Sequence, residues 1–220
     1  MTRRLLLARH GRVDFSSRDF LETPRGRQWD PPLDDVGREQ ARPLAARLAS
    51  AATPVAAYVS PFRRCAETLA PIAERTGIEA KVVDDLGEVF VGDWEGVPFE
   101  ELVAENEDFI RRRLHEHEAI FAQAPRAERG SELRARVVPA IEAMLAAAGH
   151  GDVLVVAHGG VINAYVGHVL GVDQDMFFLP ENTSLTVVRA DGDERAVRFL
   201  GDAAHLFFPG LWEAAPLTAE

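Results

Sequence analysis

The chain has 220 residues, 47% of them hydrophobic, and a formal net charge of -11. That length and apolar content support one sizeable core without a second domain. The negative balance argues against nonspecific nucleic-acid binding, because a phosphate backbone would be repelled unless a local basic patch intervened, so any phosphate site must be a focused pocket.

The longest apolar stretches are strand-length, far short of the roughly 20 residues a membrane-crossing helix needs. Arg9-His10-Gly11-Arg12 interrupts the N-terminal apolar run before a signal sequence could form, so the expected address is cytoplasmic. Cys65 is the single cysteine, which excludes an intrachain disulfide and a cysteine-rich zinc site; it reads as a small buried apolar residue on a helix. Lys81 is the single lysine, so arginine carries nearly all the positive charge.

In chain order, Leu5 to Ala8 reads as a buried first strand and Gly11 to Leu33 as a long loop. From Asp34 the positions Val36, Ala41, Leu44, Ala45 and Leu48 suit one helical face, with Pro43 expected to kink the helix or restrict its start. Ala56 to Val59 is a second strand, and Phe62 to Arg75 a helix stopped at Gly77. Val82-Val83 marks a third strand, then a glycine-containing stretch runs from Leu86 to Gly96.

Phe99 to Phe121 has helical spacing, and a helical insert is expected at about 99–130, over the site. Glu132 to Ala148 is another helix, Val153 to Ala157 a fourth strand, and Gly160 to Leu170 a helix stopped by Gly171. Ser184 to Arg189 and Ala196 to Leu200 alternate across the turn Asp191-Gly192 and read as a closing hairpin. The alternation predicts a single α/β domain over residues 1–220, a three-layer α/β/α arrangement with a mostly parallel sheet.

In such sheets the ligand crevice lies beyond the carboxyl ends of the strands. Arg9 and His10 follow the first strand, Arg64 comes soon after Ser60 at the end of the second, Glu88 follows the third, and His158 the fourth. Alone, each has an ordinary structural explanation; together they suit phosphoryl transfer to nitrogen. Two guanidinium groups grip phosphate oxygens, one neutral imidazole attacks phosphorus, a carboxylic acid protonates the leaving oxygen, and a second imidazole donates to the transferring group. With arginines neutralising the dianion, no metal and no cofactor is called for.

Competing chemistries lack their signatures. There is no glycine-rich loop ending in Lys-Ser or Lys-Thr, and Pro71 stands where a cysteine phosphatase built on Cys65 would carry its arginine. Asp191-Gly192-Asp193 sits in a hairpin turn and not after a buried strand. His115 and His117 point to different faces of the expected helix. No Gly-x-Ser-x-Gly elbow accompanies His158-Gly159-Gly160.

Leu6-Leu7-Ala8-Arg9-His10-Gly11, Ser60-Pro61-Phe62-Arg63-Arg64-Cys65-Ala66-Glu67-Thr68, Leu86-Gly87-Glu88 with Gly92-Asp93-Trp94-Glu95-Gly96, and Val155-Val156-Ala157-His158-Gly159-Gly160 resemble the motifs of the histidine phosphatase superfamily, the phosphoglycerate mutase-like or branch-one group. Leu33 to Ala41, Asn182-Thr183-Ser184 and Ala204-His205-Leu206 resemble its further segments. The resemblance implies a phosphoglycerate mutase-like fold and a metal-independent phosphomonoesterase acting on a phosphorylated small molecule through a phosphohistidine on His10. Arg9, Arg64, Glu88 and His158 take the other catalytic positions. Arg64, not Arg63, matches the family arginine, Glu95 takes a structural role, and Ser131 is expected to cap the following helix.

Arg9, Arg64, Gly159 and Ser16 are the expected substrate contacts. Ser16 stands near where many members carry asparagine, and an ordinary loop serine is the competing reading. Arg12-Val13 replaces the Glu-Thr of many members. Mutase-type transfer and a weakly active binding or regulatory protein remain the alternatives. Among Arg111, Arg112, Arg113, Arg126 and Arg129, most suit a solvated helix face, with one or two reaching a distal anionic group. No nucleic acid or membrane partner is expected, and a homodimer is left open.

Overall fold

The computed structural model describes residues 3–50, 53–98, 101, 102, 104 and 124–208. Its centre is a six-stranded sheet in the order β5-β4-β6-β1-β7-β8, comprising β1 (Arg3–Arg9), β4 (Ala56–Val59), β5 (Ala80–Val82), β6 (Val153–Ala157), β7 (Leu185–Asp191) and β8 (Glu194–Asp202). β5, β4, β6 and β1 run parallel; β7 pairs antiparallel with β1, and β8 with β7. β1 and β6 lie in the middle, and both bury their apolar residues completely or nearly so, as strands covered on two faces must.

Helices α1 (Asp35–Ser50), α2 (Arg63–Thr76), α3 (Gly130–Ala147), α4 (Gly159–Leu170) and α5 (Ala204–Phe207) accompany the sheet. Two cores result. Leu6, Ala8, Leu154 and Val156 pack with Leu44, Leu48, Cys65 and Ile72 on one face, while Leu5, Leu7, Val153 and Val155 pack with Val137, Ile141, Ile162 and Tyr165 on the other. The three-layer α/β/α arrangement follows from that division. Among the described residues no helix is long and apolar enough to cross a membrane.

Several boundaries differ from expectation. The stretch from Gly11 to Leu33 contains a hairpin, β2 (Phe20–Thr23) and β3 (Gly26–Trp29), joined through Pro24-Arg25; a hairpin this short carries little hydrophobic alternation to announce it. Val36 is exposed and not on the buried face of α1, because Gly37 occupies the contact instead. A Cβ on Gly37 would lie 2.0 Å from the Arg12 carbonyl oxygen, so α1 packs backbone to backbone on the loop after β1. Pro43 lies inside α1 without ending it, and Asp34 caps that helix by accepting the Gly37 N–H at 2.7 Å.

Ser131 lies inside α3; Arg129 is its cap, its backbone N–H bonded to Glu132 Oε2 at 2.8 Å. β5 ends at Val82, and Val83 leads into two short 3₁₀ turns, Asp84–Leu86 and Gly92–Trp94. The expected Phe99 to Phe121 helix, with Arg111, Arg112, Arg113, His115 and His117, lies almost wholly outside the described residues.

Candidate active site

The register of the parallel strands assembles the site. Arg9 at the end of β1 pairs with Ala157 at the end of β6, and the His10 N–H donates to the Ala157 carbonyl at 3.0 Å. Val59 at the end of β4 pairs with Val156, and the Ser60 N–H donates to the Val156 carbonyl at 3.0 Å. His10, Ser60 and His158 therefore leave three adjacent strands side by side. The two imidazole rings meet edge to face, with centroids 5.2 Å apart.

His10 is almost fully buried, and its Nδ1 lies 2.8 Å from the Gly11 carbonyl oxygen. A carbonyl only accepts, so Nδ1 carries the proton and Nε2 the lone pair. Burial, reinforced by the positive charges of Arg64 and Arg9, holds this imidazole well below its ordinary pKa range. The result is a neutral ring with an unprotonated Nε2. The Gly11 N–H in turn donates to Thr68 Oγ1, whose hydroxyl donates to the Arg64 carbonyl, tying the loop after β1 to α2.

Arg64 is 6% exposed. Its Nε–H donates to His158 Nδ1 at 3.3 Å, its Nη1 to the Trp29 carbonyl at 3.1 Å, and its guanidinium carbon lies 4.3 Å from the centre of the Phe62 ring. Asp30 is 3.6 Å from Nη1. Since Arg64 only donates, His158 Nδ1 is an acceptor and Nε2 bears the proton, which it gives to Ser60 Oγ at 2.7 Å. Burial, then the charge of Arg64, pushes the fully buried His158 well below its ordinary range, so this ring is neutral too.

Arg9 donates from Nη1 to the Pro180 carbonyl at 2.5 Å, while its buried Nε has no hydrogen-bond partner among the described residues. That Nε is 3.9 Å from where a Cβ would stand on Gly159, the first residue of α4. An unpaired guanidinium N–H beside a helix N-terminus suits an anion. Glu88 closes the group: its Oε1 accepts the Val89 N–H at 2.9 Å and its Oε2 the Gly160 N–H at 3.3 Å. A Cβ at position 160 would lie 2.4 Å from Oε1, so the glycine there admits the carboxylate.

The structure thus brings Arg9, His10, Arg64, Glu88, His158 and Gly159 to one end of the sheet. Ser16 is exposed, with its N–H and hydroxyl both donating to Asp14 Oδ1 at 2.9 and 2.6 Å. Glu95 accepts the N–H groups of Trp29 and Val91 at 2.8 and 3.0 Å, and Arg63 pairs with Glu67 on the surface. Cys65 is fully buried, its thiol pushed up to about 12 by burial, as an inert apolar filler would be. Arg126 is exposed and pairs with Asp93, and Arg129 is exposed. Among the described residues, no group of three or more His, Cys, Asp or Glu side chains could hold a metal ion.

One supporting residue escaped the sequence reading. Arg136 of α3 pairs with Glu128 at 2.6 Å and donates to the carbonyls of Asp85, Gly87 and Glu88 at 2.6, 2.9 and 3.2 Å, bracing the loop that carries Glu88. Its neighbours in sequence give no sign of it, since Arg134 and Arg136 stand two apart on the helix expected from Glu132 to Ala148. The β2–β3 hairpin supplies Trp29 to Arg64, and Gln28 Nε2 donates to the Glu88 carbonyl at 3.3 Å.

Comparison with known proteins decides the family. The model of the histidine phosphatase superfamily (branch 1) matches residues 5–203. The chain belongs to that family. A glucosyl-3-phosphoglycerate phosphatase of Mycobacterium tuberculosis is 31% identical over 170 residues, covering 74% of this chain and 73% of the relative. Phosphoserine phosphatase 1 of Hydrogenobacter thermophilus is 28% identical over 208 residues, covering 92% and 94%.

Among solved structures, a phosphoglycerate mutase from Bacillus anthracis superposes with a TM-score of 0.77 over 94% of this chain and 96% of that one, at 22% identity, a likeness of fold. This member of the histidine phosphatase superfamily has the phosphoglycerate mutase-like α/β fold and is a phosphoric monoester hydrolase.

Proposed function

We propose that the chain hydrolyses the phosphate ester of a small polar molecule by passing the phosphoryl group through His10 Nε2. The observation that carries this reading is the His10 Nδ1–H bond to the Gly11 carbonyl, which leaves Nε2 with a lone pair inside a cluster of two arginines. The unpaired Arg9 Nε, Arg64 and the N-terminus of α4 at Gly159 take the nonbridging oxygens. Nε2 attacks phosphorus as the ester P–O bond breaks, and Glu88 gives a proton to the departing oxygen. Water then attacks the phosphohistidine, giving its proton to Glu88 while the N–P bond breaks and phosphate leaves.

His158 offers its Nε2–H, now given to Ser60, to a phosphoryl oxygen as charge develops. No step calls for a metal, because the guanidinium groups supply the positive charge. The leaving group lies on the Glu88 side, where a cleft lined by Val89, Leu133, Gly160, Asn163, Met176 and the Arg134–Asp175 pair opens. Its mixture of apolar wall, amide and paired charges suits a polar, hydroxylated leaving group. The names of the relatives, phosphatases of glucosyl-3-phosphoglycerate and phosphoserine, support that class.

The test is a rapid acid-free quench after brief exposure to labelled substrate, followed by mapping of acid-labile phosphate. Label on His10 supports the reading; label on a serine or an aspartate sinks it.

A further inference from the structure

The segment after α4 returns to the strand ends and grips the nucleophile from behind. The His10 carbonyl accepts two hydrogen bonds from it, Asn182 Nδ2 at 3.0 Å and the Thr183 N–H at 3.2 Å. The Arg9 N–H donates to the Ser184 carbonyl at 3.1 Å. The conformation that allows this is costly, because Thr183 has φ +60°, a left-handed backbone that a β-branched residue rarely adopts. Strain of that kind persists only where the surroundings impose it.

The surroundings here are polar and buried. Thr183 is fully buried, and its Oγ1 lies 3.3 Å from His205 Nε2. His205, also fully buried, has its Nδ1 3.3 Å from Arg47 Nη1. Arginine only donates, so His205 Nδ1 accepts and Nε2–H donates to Thr183. Arg47 is 1% exposed and is itself held by Asp202, with Nη2 2.6 Å from Oδ2. The Asp202 Oδ1 accepts the Ala204 N–H at 2.9 Å, which starts α5 and seats His205. A continuous chain of hydrogen bonds therefore runs from α1 through α5 to the carbonyl of His10.

The hydrogen bonds described above link Arg47, Asp202 and His205 to one another, to Thr183 and to the start of α5, so their route to the nucleophile runs through the backbone of Thr183. We propose that Arg47, Asp202 and His205 form a positioning cluster that holds Thr183 in its left-handed conformation and thereby fixes the backbone of His10 for in-line attack. The cluster explains why a buried arginine and a buried histidine stand behind the sheet ends, where apolar residues would pack at lower desolvation cost. The proposal rests on His10 as the nucleophile, and its test separates the two claims.

The variants are His205→Leu, His205→Gln, Thr183→Val and Thr183→Gly, each first shown to be folded by its melting curve. His205→Leu and Thr183→Val are expected to slow single-turnover phosphoryl transfer on the order of tenfold to a hundredfold, as a small misplacement of a reacting atom does. Their inhibition constants for inorganic phosphate should move much less, since the arginine side chains remain. His205→Gln keeps an N–H donor and should recover part of the rate. Thr183→Gly adopts φ +60° without strain, so it should be faster than Thr183→Val, and adding His205→Leu to it should cost little.

Rates within twofold of the wild type for both Leu and Val variants, or an equal His205→Leu loss in the Thr183→Gly background, would overturn the proposal. The ring ¹⁵N resonances of His10 in the unliganded protein give a readout independent of turnover: they should shift or broaden in His205→Leu, and unchanged resonances would count against positioning. A wild-type enzyme that turns over without phosphohistidine on His10 would overturn the nucleophile assignment alone, because the resonances still report the backbone coupling.

Discussion

Arg64 gives its Nε–H to Nδ1 of His158 at 3.3 Å, and this bond decides which nitrogen of the second histidine carries a proton. The same guanidinium reaches the Trp29 carbonyl at 3.1 Å and stacks on Phe62, so its plane is set from three sides. Lysine is a point charge without that fork. Arg64→Lys is therefore expected to lower kcat/KM by about 10²-fold, within the range seen on removing one preorganised donor. Steady-state kinetics checks this, and an unchanged kcat/KM would show that charge alone suffices.

Glu88 is poised beside Gly160 and is expected to act on the leaving oxygen. Glu88→Gln keeps the side-chain shape and one acceptor oxygen, enough for either the Val89 or the Gly160 N–H but not both, and has no acidic proton. Its rate on alkyl phosphates should fall about 10²–10⁴-fold, the usual worth of a positioned general acid. Its rate on p-nitrophenyl phosphate should fall much less, because nitrophenolate leaves without help. Equal losses in single-turnover transfer would make Glu88 an orienting group instead.

Arg136 braces the Glu88 loop at three carbonyls and pairs with Glu128, whose side chain is only 8% exposed. Arg136→Ala leaves that carboxylate buried without its cation, a change that costs about 3 kcal/mol or more. Urea unfolding should show the loss. Below the melting temperature the variant should also act more slowly on alkyl than on aryl esters, since the proton donor is the part displaced.

Acid should weaken the fold through its buried histidines. His205 is held at about 4, first by burial and then by the charge of Arg47, with Asp202 acting in the opposite direction. A histidine with a lowered folded pKa leaves stability intact above the unfolded value near 6.5. As the pH falls from there towards 4, the unfolded chain takes up a proton that the folded one refuses, so stability declines. The full effect is on the order of 3 kcal/mol. His10 and His158, also held low, act in the same direction. Comparing pH-dependent melting of the wild type and His205→Gln isolates the His205 share; parallel curves would contradict it.

Activity on p-nitrophenyl phosphate is expected to survive exhaustive dialysis against a chelator. Arg9 and Arg64 supply the charge that a metal would otherwise bring to the phosphate. Loss of rate restored by magnesium, manganese or zinc would show that two guanidinium groups are insufficient.

Two of the central strands were legible in the sequence because β4 and β6 are short, bounded apolar runs; Ala56 to Val59 and Val153 to Ala157 fall where the pattern puts them. The gathering of Arg9, His10, Arg64, Glu88 and His158 was legible as well, since a parallel sheet carries whatever follows its strands to one edge. The helix stops at Gly77 and Gly171 follow from the left-handed backbone both adopt. Local chemistry governs all of these features, so local sequence reports them.

Only the tertiary structure decided the rest. Arg136 under Glu88, the Arg64 bond that sets the His158 tautomer, and the Arg47–His205–Thr183 chain join residues that lie far apart in sequence, up to 158 positions in the case of Arg47 and His205. No periodicity or spacing encodes such pairs. A buried polar group is stable only when its partners arrive from other elements, so which arginine is structural and which faces phosphate is settled by packing alone.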